Sequence, residues 1–249
     1  MKDIMLEDGE RLDAVNERIT LIQKKDGLTF GTDAFLLASF IKPRKSGRAL
    51  ELGAGTGIIS LLLAAKDKFA SICALEVQED FAVLARRNAE LNGLDGKIEV
   101  ICRDVRDLRA SDGEFDVVFS NPPYMTTDSG KRNESDYKYI ARHEVCGGIS
   151  DFSAAAYRAL KHGGKFYVVW RPDRLCDLIC ALRDNRLEPK VMTFVCADSK
   201  SAPSMVLVSA TKGGAPGMSL TAPLILHADG DHSALSPEAQ RIYDTLSFD

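Results

Sequence analysis

A glycine-rich segment follows the first strand of a strand and helix pattern. Residues 51–57 read Glu-Leu-Gly-Ala-Gly-Thr-Gly and lead directly into an apolar helical segment. Glycines at the carboxyl end of a first strand let the backbone turn sharply and approach a ligand closely. Gly53, Gly55 and Gly57 fit the spacing acid-x-G-x-G-x-G, whereas Ile58 breaks the G-x-G-x-x-G spacing of a dinucleotide site. The segment therefore predicts a cofactor site of another kind.

Three acidic residues lie at successive strand ends of the predicted sheet. Glu51 stands beside the glycines, Glu76 closes the second strand, and Asp104 follows the third. We expect Glu76 to accept hydrogen bonds from a ribose diol, Asp104 to accept from an exocyclic adenine amine, and Glu51 to bind an ammonium group directly or through water. One such acid alone is more often a helix cap or a solvated strand end. Three in succession favour a nucleoside-like ligand.

The fourth predicted strand runs straight into Asn121-Pro122-Pro123-Tyr124. Prolines lack an N–H, so the strand ends there and its last carbonyls stay available as acceptors. A planar amide or exocyclic amine is a poor nucleophile because its lone pair is delocalised. The side-chain oxygen of Asn121 and the carbonyl of Pro122 can accept its two N–H protons, which stabilises a pyramidal transition state more than the ground state. Tyr124 offers a face on which a flat substrate stacks.

The elements that must position these residues alternate between short strands and amphipathic helices, which predicts an α/β fold with helices on both faces of a parallel sheet. No helical segment separates the last two strands, so they are expected to pair antiparallel. We predict a doubly wound, mostly parallel seven-stranded sheet with an antiparallel edge strand. The predicted strands span 48–52, 71–76, 97–102, 115–120, 165–170, 191–197 and 205–211, and the helices span 57–66, 78–92, 150–160, 174–184 and 237–246.

The segments that flank this core are short. Residues 18–30 contain Asp-Gly at 26–27, which predicts a β-hairpin, and Thr32 or Asp33 is expected to cap the helix that follows. We expect one domain, composed of an N-terminal hairpin and helix, a cofactor-binding and catalytic core, and a C-terminal tail (1–46, 47–212 and 213–249). Residues 125–149 form a polar connection without helical or strand period, longer than compact domains normally allow without a functional reason.

The composition bounds the class of protein. The 249 residues are 45% hydrophobic, and 32 Lys and Arg against 36 Asp and Glu give a net charge of −4. No overall positive field attracts RNA or lipid, so phosphate contacts need local patches. The apolar run 58–65 is too short to span a membrane, and the acidic N-terminus is unlike a secretory signal, so we expect a cytoplasmic protein. The six cysteines, without a C-x-x-C pair, predict reduced thiols and no metal site. The candidate phosphate contacts are Lys131, Arg132, Lys42, Arg44, Lys45 and Arg48.

Both motifs resemble those of a known class of enzymes. The glycine segment resembles the first motif of the S-adenosylmethionine-dependent methyltransferases, and Asn-Pro-Pro-Tyr resembles the fourth motif of those that act on amide or exocyclic nitrogens. The resemblance implies a Rossmann-like class I fold and S-adenosylmethionine as the cofactor, with its methionyl ammonium near Glu51. Because adenine-N6, guanine-N2 and protein glutamine enzymes share the tetrapeptide, it indicates the type of atom better than the substrate.

Three further segments resemble the tRNA adenine-N6 methyltransferase family that modifies the adenine next to the anticodon of a valine tRNA. They are residues 30–38 (Phe-Gly-Thr-Asp-Ala-Phe-Leu-Leu-Ala), 141–144 (Ala-Arg-His-Glu) and 223–226 (Pro-Leu-Ile-Leu). The resemblance runs over nearly the full length. It implies that Asn121, with Pro122 and Tyr124, is catalytic, that Asn121 also borders the cofactor, and that the turn containing Thr32 does so too. No catalytic role falls to His143, since amine methylation needs no strong base.

The expected function is therefore methylation of adenine N6 in RNA, most simply in tRNA near the anticodon, with the connection 125–149 as an electrostatic substrate clamp. Protein glutamine N5-methylation and guanine-N2 methylation of RNA are the alternatives. Glutamine enzymes usually carry a separate helical N-terminal domain, for which the start of this chain leaves little room. A binding module that keeps only the cofactor pocket is disfavoured by the intact Asn-Pro-Pro-Tyr segment.

Overall fold

A nine-stranded sheet forms the centre of the protein. The computed structural model describes residues 5–25, 31–112, 114–122, 147–228 and 231–248. The long strands of the sheet are β3 (Arg44–Leu52), β4 (Phe69–Glu76), β5 (Ile98–Cys102), β6 (Phe115–Ser120), β7 (Leu160–Trp170), β8 (Leu187–Cys196) and β9 (Pro203–Lys212). Two short strands, β10 (Ser219–Leu220) and β11 (Leu224–Ile225), complete it. The strand order is β10-β8-β9-β7-β6-β3-β4-β5, and β11 also pairs with β8.

All neighbouring strands of this sheet are parallel except β9, which runs antiparallel to both β7 and β8. The predicted α/β class with a mostly parallel sheet is confirmed, as is the antiparallel β8–β9 pair. The predicted position of the reversed strand at the edge is wrong, because β9 lies inside the sheet between β7 and β8. The short connection between β8 and β9 predicts only that these two strands pair. The pairing of β9 with β7 is a long-range contact, which no local sequence pattern predicts.

Helices cover both faces of the sheet. They are α1 (Thr32–Phe40), α2 (Ile58–Ala65), α3 (Glu79–Leu91), α4 (Ile149–Ala159), α5 (Leu175–Asp184) and α6 (Pro237–Thr245). Because side chains alternate along a strand, Ala49 of β3 joins the apolar cluster of α1, α2 and α6, while the next residue, Leu50, joins that of α4 and α5. Within the described ranges, no helix has the length and apolar character to cross a membrane.

A β-hairpin forms upstream of the predicted turn. Strands β1 (Glu10–Ala14) and β2 (Thr20–Lys24) pair antiparallel. Their loop is closed by the side chain of Asn16, whose Oδ1 accepts hydrogen bonds from the main-chain N–H groups of Arg18 (2.9 Å) and Ile19 (3.0 Å). This is an Asx turn, a signal weaker than Asp-Gly in sequence. The predicted turn at 26–27 lies outside the described residues.

Asn88 of α3 and Asn92, which follows its last residue, hold β2 in place of a second partner strand. Asn92 accepts from Thr20 N (3.0 Å) and donates to Thr20 O (2.8 Å), and Asn88 accepts from Ile22 N (2.7 Å) and donates to Ile22 O (3.2 Å). A side-chain amide carries the same donor and acceptor as a peptide group, so each mimics a strand residue. Asn88 Nδ2 also donates to the carbonyl of Thr56 (3.0 Å), which joins the hairpin to the glycine-rich segment.

The C-terminal tail packs back onto the first helix. After a short hairpin of β12 (His227–Ala228) and β13 (Asp231–Leu235), the Ser236 hydroxyl caps α6 by accepting from Ala239 N (3.1 Å). The ring of Tyr243 then stacks on that of Phe35 of α1, with centroids 5.1 Å apart. The two ends of the chain thus share one apolar cluster.

The asparagine pair yields a stability prediction. Asn88 is fully buried, so Asn88→Ala leaves Ile22 N–H and the Thr56 carbonyl without partners and should lower the free energy of unfolding by about 2–3 kcal/mol. Asn92→Ala is the matched control, because water reaches that half-buried side chain and a loss of only about 1 kcal/mol is expected. Urea unfolding of both variants measures the difference, and equal losses would contradict this account.

Candidate functional site

The predicted site residues meet at one edge of the sheet. Strands β6, β3, β4 and β5 are consecutive parallel neighbours, so their carboxyl ends lie side by side. The register places Glu51 opposite Phe119 of β6, two residues before Asn121, and Glu76 opposite Cys102 of β5, two residues before Asp104. Asn121, the glycine-rich segment, Glu76 and Asp104 therefore follow one another along this edge, which is where open α/β sheets bind ligands.

The glycine-rich segment turns sharply at the end of β3. The main-chain N–H groups of Gly53 and Ala54 both donate to the carbonyl of Leu75 at 2.9 Å. Gly53 has φ +72°, and a Cβ on it would lie 3.3 Å from the ring of Phe152. Gly55 has φ +55°, but no atom lies within 4 Å of its Cβ position, so its backbone faces open space. The turn thus leaves main chain that a ligand can approach, and Gly57 then leads into α2.

Glu76 links this turn to the end of β4. One carboxylate oxygen accepts from Gly55 N (2.8 Å) and the other from Gln78 N (2.9 Å), and the residue is only 5% exposed. A carboxylate has about four lone-pair positions, so two main-chain donors leave capacity for further ones. Glu76 can therefore hold the turn and accept from a ribose diol at the same time.

Glu51 is a buried carboxyl group against the first turn of α2. It accepts from the main-chain N–H of Ser60 (3.2 Å) and from the Ser60 hydroxyl. Burial raises the pKa of Glu51 to about 8 despite the Ser60 hydrogen bonds, which favour the charged form. At neutral pH the group is therefore mostly neutral, and a cation placed beside it would shift it to the carboxylate. That response fits the predicted ammonium contact, which stays a prediction.

Asp104 makes a close ion pair within its own loop. Its carboxylate accepts from Arg106 Nε at 2.9 and 3.0 Å and from the main-chain N–H of Arg106 at 2.8 Å. Hydrogen bonding from Arg106 holds the pKa of Asp104 below its usual value. An adenine amine that binds Asp104 would have to share the carboxylate with this guanidinium. The ion pair with Arg106 was not predicted from the sequence.

Asn121 is held by a residue from the other end of the fold. Its amide Nδ2 donates to Asp33 Oδ2 at 2.8 Å, and the other Asp33 oxygen accepts from Ala34 N at 2.9 Å. Since a carboxylate accepts and does not donate, the amide must turn its nitrogen toward Asp33 and its Oδ1 elsewhere. Asp33 is the residue that sequence reasoning missed as a partner of Asn121. The only sequence signal for this role of Asp33 was its place in the Gly-Thr-Asp turn, which lies 88 positions before Asn121.

The turn that carries Asp33 begins α1. Gly31, rather than Thr32 or Asp33, occupies the N-cap position, and Thr32 is the first helical residue. The hydroxyl of Tyr243 from α6 is hydrogen-bonded to Thr32, and burial raises the pKa of Tyr243. The C-terminal helix therefore touches the helix turn that orients Asn121. Pro122 is buried next to Asn121, whereas Pro123 and Tyr124 lie outside the described residues.

The basic residues before the first motif lie at the wrong end of the sheet for a shared site. Arg44 and Lys45 begin β3, and Asn121 follows the opposite end of its neighbour β6. Arg44 pairs with the buried Asp116 (3.4 Å), and the Arg48 guanidinium lies over the ring of Phe115 at 4.9 Å. Lys42, Arg44 and Lys45 therefore lie away from this edge of the sheet, and their contacts with phosphate stay a prediction. The predicted contacts Lys131 and Arg132 lie outside the described residues.

Metal chemistry has no visible basis in the described part of the chain, where no three His, Cys, Asp or Glu side chains cluster in a way that could hold an ion. The glycine turn and the carboxylates around it instead offer acceptors that suit a ligand with hydroxyl, amine and ammonium donors. Such a donor set matches the nucleoside-like cofactor expected from the sequence.

Comparisons with known proteins agree with this geometry. Residues 24–179 match the family model described as methyltransferase small domain. A relative from Phocaeicola vulgatus, named tRNA1(Val) (adenine(37)-N6)-methyltransferase, is 30% identical over 193 residues, covering 78% of this chain and 81% of the relative. A solved structure from Agrobacterium tumefaciens, described as a predicted O-methyltransferase, is 27% identical with TM-score 0.71, covering 87% of this chain and 97% of that one. A 16S rRNA N2 methyltransferase from T. thermophilus, solved with AdoMet and guanosine, shares the fold at 18% identity and TM-score 0.58, covering 84% of this chain and 52% of that one.

The buried carboxyl group yields a pH prediction. The pKa of Glu51 is about 8 in the folded protein and near 4.5 without burial, so the folded state holds a proton that the unfolded chain releases. Stability from this group is complete below pH 4.5 and is lost as the pH rises to about 8. Glu51→Gln should remove that loss. The free energy of unfolding of the variant minus that of the wild type should therefore increase by roughly 1 kcal/mol for each pH unit between about 5 and 8.

Urea unfolding of both proteins at pH 5, 6, 7 and 8 measures this difference. Glu99→Gln, the same change on an exposed side chain of β5, controls for the removal of one negative charge. Parallel pH profiles for the wild type and Glu51→Gln would show that the carboxyl group is charged in the folded protein.

Proposed function

The chain belongs to the methyltransferase small domain family, and from that membership we propose that it methylates the exocyclic N6 of an adenine in tRNA, beside the anticodon. It is an S-adenosylmethionine-dependent methyltransferase, as the sequence motifs predicted. The names of relatives such as the P. vulgatus protein support adenine and tRNA as the substrate, and a tRNA substrate would be met in the cytosol. The observation that carries the choice of nitrogen is the Asn121 amide, fixed by Asp33 and followed by Pro122.

The residues at the glycine turn fit S-adenosylmethionine. We assign the main chain of Gly53, Gly55 and Gly57 to its close approach and Glu76 to its ribose. Glu51 suits the ammonium, because its carboxyl group has no cationic hydrogen-bond partner among the described residues and a cation would favour the charged form. The remaining assignments are Asp104 at the adenine amine and Thr32 and Asn121 at the border of the site. When bound, the cofactor supplies an electrophilic methyl group on a sulfonium.

The chain's own part in the chemistry is to prepare the nitrogen. Asn121 Oδ1 and the Pro122 carbonyl accept the two N–H protons of the adenine amine, which localises its lone pair toward the methyl carbon. A bound cofactor would supply the methyl carbon to this nitrogen and would keep the electrons of its carbon–sulfur bond, which would leave a positive charge on the nitrogen. The two acceptors stabilise that charge more than the neutral amine, so they act on the transition state. One amine proton then leaves to solvent, which requires no strong base.

Asp33 makes the acceptor ready before the substrate arrives. The terminal torsion of an asparagine is broad, so an unrestrained amide would place its oxygen and its nitrogen at the amine about equally well. The hydrogen bond from Nδ2 to Asp33 selects one of these orientations and presents Oδ1. Asp33 is thus a positioning residue, and the preorganised acceptor costs no reorganisation during the reaction.

The nitrogen preference argues against an oxygen substrate, although the A. tumefaciens structure is described as a predicted O-methyltransferase. A hydroxyl has one proton to give and becomes a good nucleophile only when a base removes it. Two neutral acceptors side by side instead match an amine or amide NH₂. Guanine N2 and protein glutamine carry the same group, so the acceptors alone leave them as alternatives.

The direct test is labelled methyl transfer to bulk tRNA that lacks the modification, followed by nucleoside analysis. We expect label in N6-methyladenosine from a valine tRNA. A release factor is the comparison substrate, since it carries a glutamine acceptor. Label in N2-methylguanosine, or faster labelling of the release factor, would replace adenine N6 with the corresponding alternative.

Variants of the positioning pair give a kinetic prediction. Asn121→Ala should lower the single-turnover rate by about 10²–10³-fold, because it removes an acceptor that acts on the transition state. Asp33→Ala should lower it by about 10–100-fold through the loss of one charge-assisted hydrogen bond. Asp33→Asn should recover part of the rate, since its amide oxygen still accepts from Asn121.

Calorimetry with S-adenosylhomocysteine is the control for the cofactor site, and its affinity for the Asn121→Ala and Asp33→Asn variants should stay within about twofold of the wild type. A wild-type single-turnover rate for Asp33→Ala would remove Asp33 from the mechanism. A rate loss in Asp33→Ala that the Asn variant does not recover at all would indicate a role other than accepting from Asn121.

A further inference from the structure

Helix α3 touches the glycine turn at two adjacent residues. Ala85 packs against Gly57 so closely that a Cβ on this glycine would lie 3.3 Å from the Cβ of Ala85. One helical turn further along, Asn88 Nδ2 donates to the carbonyl of Thr56 at 3.0 Å. The peptide that joins Thr56 and Gly57 therefore rests on this helix through one packing contact and one hydrogen bond.

The orientation of this peptide is fixed at both of its polar atoms. The Thr56 carbonyl accepts from Asn88, and the N–H of Gly57 donates to the carbonyl of Ala54 at 2.9 Å. A trans peptide is planar, so its carbonyl and its N–H point in opposite directions and turn together. Glycines stand on both sides of Thr56, and their main chain has other accessible conformations. The hydrogen bond from Asn88 thus selects one conformation of the segment that we assign to the cofactor.

The same amide holds strand β2 of the N-terminal hairpin. Asn88 Oδ1 accepts from Ile22 N at 2.7 Å, and Nδ2 donates to Ile22 O at 3.2 Å as well as to the Thr56 carbonyl. The oxygen and the nitrogen of the amide are therefore both engaged, and the side chain is fully buried. Because water does not reach it to replace a lost partner, the hairpin and the glycine turn share one amide whose orientation both determine.

We propose that Asn88 is a positioning residue for the cofactor and that, through it, the N-terminal hairpin is part of the cofactor site. The inference rests on the proposed assignment of the glycine turn to S-adenosylmethionine. A ligand that binds the turn in this conformation favours the amide orientation that also binds Ile22, so it favours docking of the hairpin on α3. Such a coupling is reciprocal, so the docked hairpin raises the affinity for the cofactor by the same factor.

Calorimetry with S-adenosylhomocysteine tests the role of Asn88. Asn88→Ala should weaken binding about tenfold, because the turn loses the hydrogen bond that selects its conformation. Asn92→Ala is the first control, since its amide binds Thr20 of the same strand and not the turn. Leu182→Ala is the second control, because it removes a fully buried side chain of α5 and lowers stability away from the site. Both controls should keep their affinity within about twofold of the wild type.

Hydrogen exchange of β1 measures the coupling itself. The experiment is run at a temperature at which β1 exchanges faster than the central strand β6, so that local opening is measured and not global unfolding. Saturating S-adenosylhomocysteine should slow the exchange of β1 about tenfold in the wild type and in Asn92→Ala. In Asn88→Ala the saturating ligand should leave this exchange unchanged. A merely structural role of Asn88 instead predicts the same slowing in all three proteins.

A second variant keeps the test decisive if Asn88→Ala does not fold. Asn88→Ser retains a polar group in the buried site, but its hydroxyl has one donor where the amide has two, so the affinity for S-adenosylhomocysteine should fall in the same direction.

The outcomes separate this inference from the assignments on which it rests. Wild-type affinity in the Asn88 variants, or equal weakening by Asn88→Ala and Leu182→Ala, would overturn the role of Asn88 and leave the cofactor at the turn. Slowing of β1 by the ligand in Asn88→Ala would overturn the coupling. A wild type without affinity for S-adenosylhomocysteine would overturn the assignment of the turn itself. The identity of the methyl acceptor affects none of these results, because no acceptor is present.

Discussion

The hydrogen bond from Asn121 to Asp33 is the interaction on which the proposed chemistry of this site depends. It joins the end of β6 to the first turn of α1 at 2.8 Å, so its geometry is only as accurate as the packing of α1 on the sheet. That packing is secured at both ends of the helix. Buried Lys68 donates to the carbonyls of Ala38 (2.9 Å) and Ile41 (2.7 Å) at the carboxyl end, and Tyr243 of α6 reaches the amino end. The N-terminal helix α1 and the C-terminal helix α6 thus both contribute to the position of the Asn121 side chain.

The cofactor side of the site is organised by a second constraint, the parallel arrangement of β3, β4 and β5. It brings two carboxyl groups under one turn, and the cost appears in the pKa of Glu51, which burial raises to about 8. Glu76 holds the turn in place by accepting from Gly55 N, and Asn88 fixes Thr56 one residue later. A cation bound beside Glu51 would shift it toward its charged form, so the proposed ammonium contact would link cofactor binding to the protonation of this group.

Local features of this protein could be predicted from its sequence, and long-range pairings could not. Strand β6 has the predicted bounds 115–120, and the helices begin and end within about two residues of their predicted limits, because hydrophobic period and glycine or proline punctuation report local structure. The pairing of β9 with β7 and the contact between Asp33 and Asn121 join residues that are distant along the chain. Such pairs cannot be predicted from the local patterns of a single sequence. The basic residues 42–48 illustrate the same limit. They are close to Gly53 along the chain, but Arg44 and Lys45 begin β3 and therefore lie at the end of the strand opposite the glycine turn.

A double-mutant cycle between Asp33 and Asn121 tests the central claim most directly. Single-turnover methylation of the RNA substrate would be measured for Asp33→Ala, Asn121→Ala and the double variant. If Asp33 acts only by orienting the Asn121 amide, its removal has no further effect once that amide is gone, so the double variant should be as slow as Asn121→Ala alone. Rate losses that multiply in the double variant would show that the two residues act independently, which would contradict this account of the site.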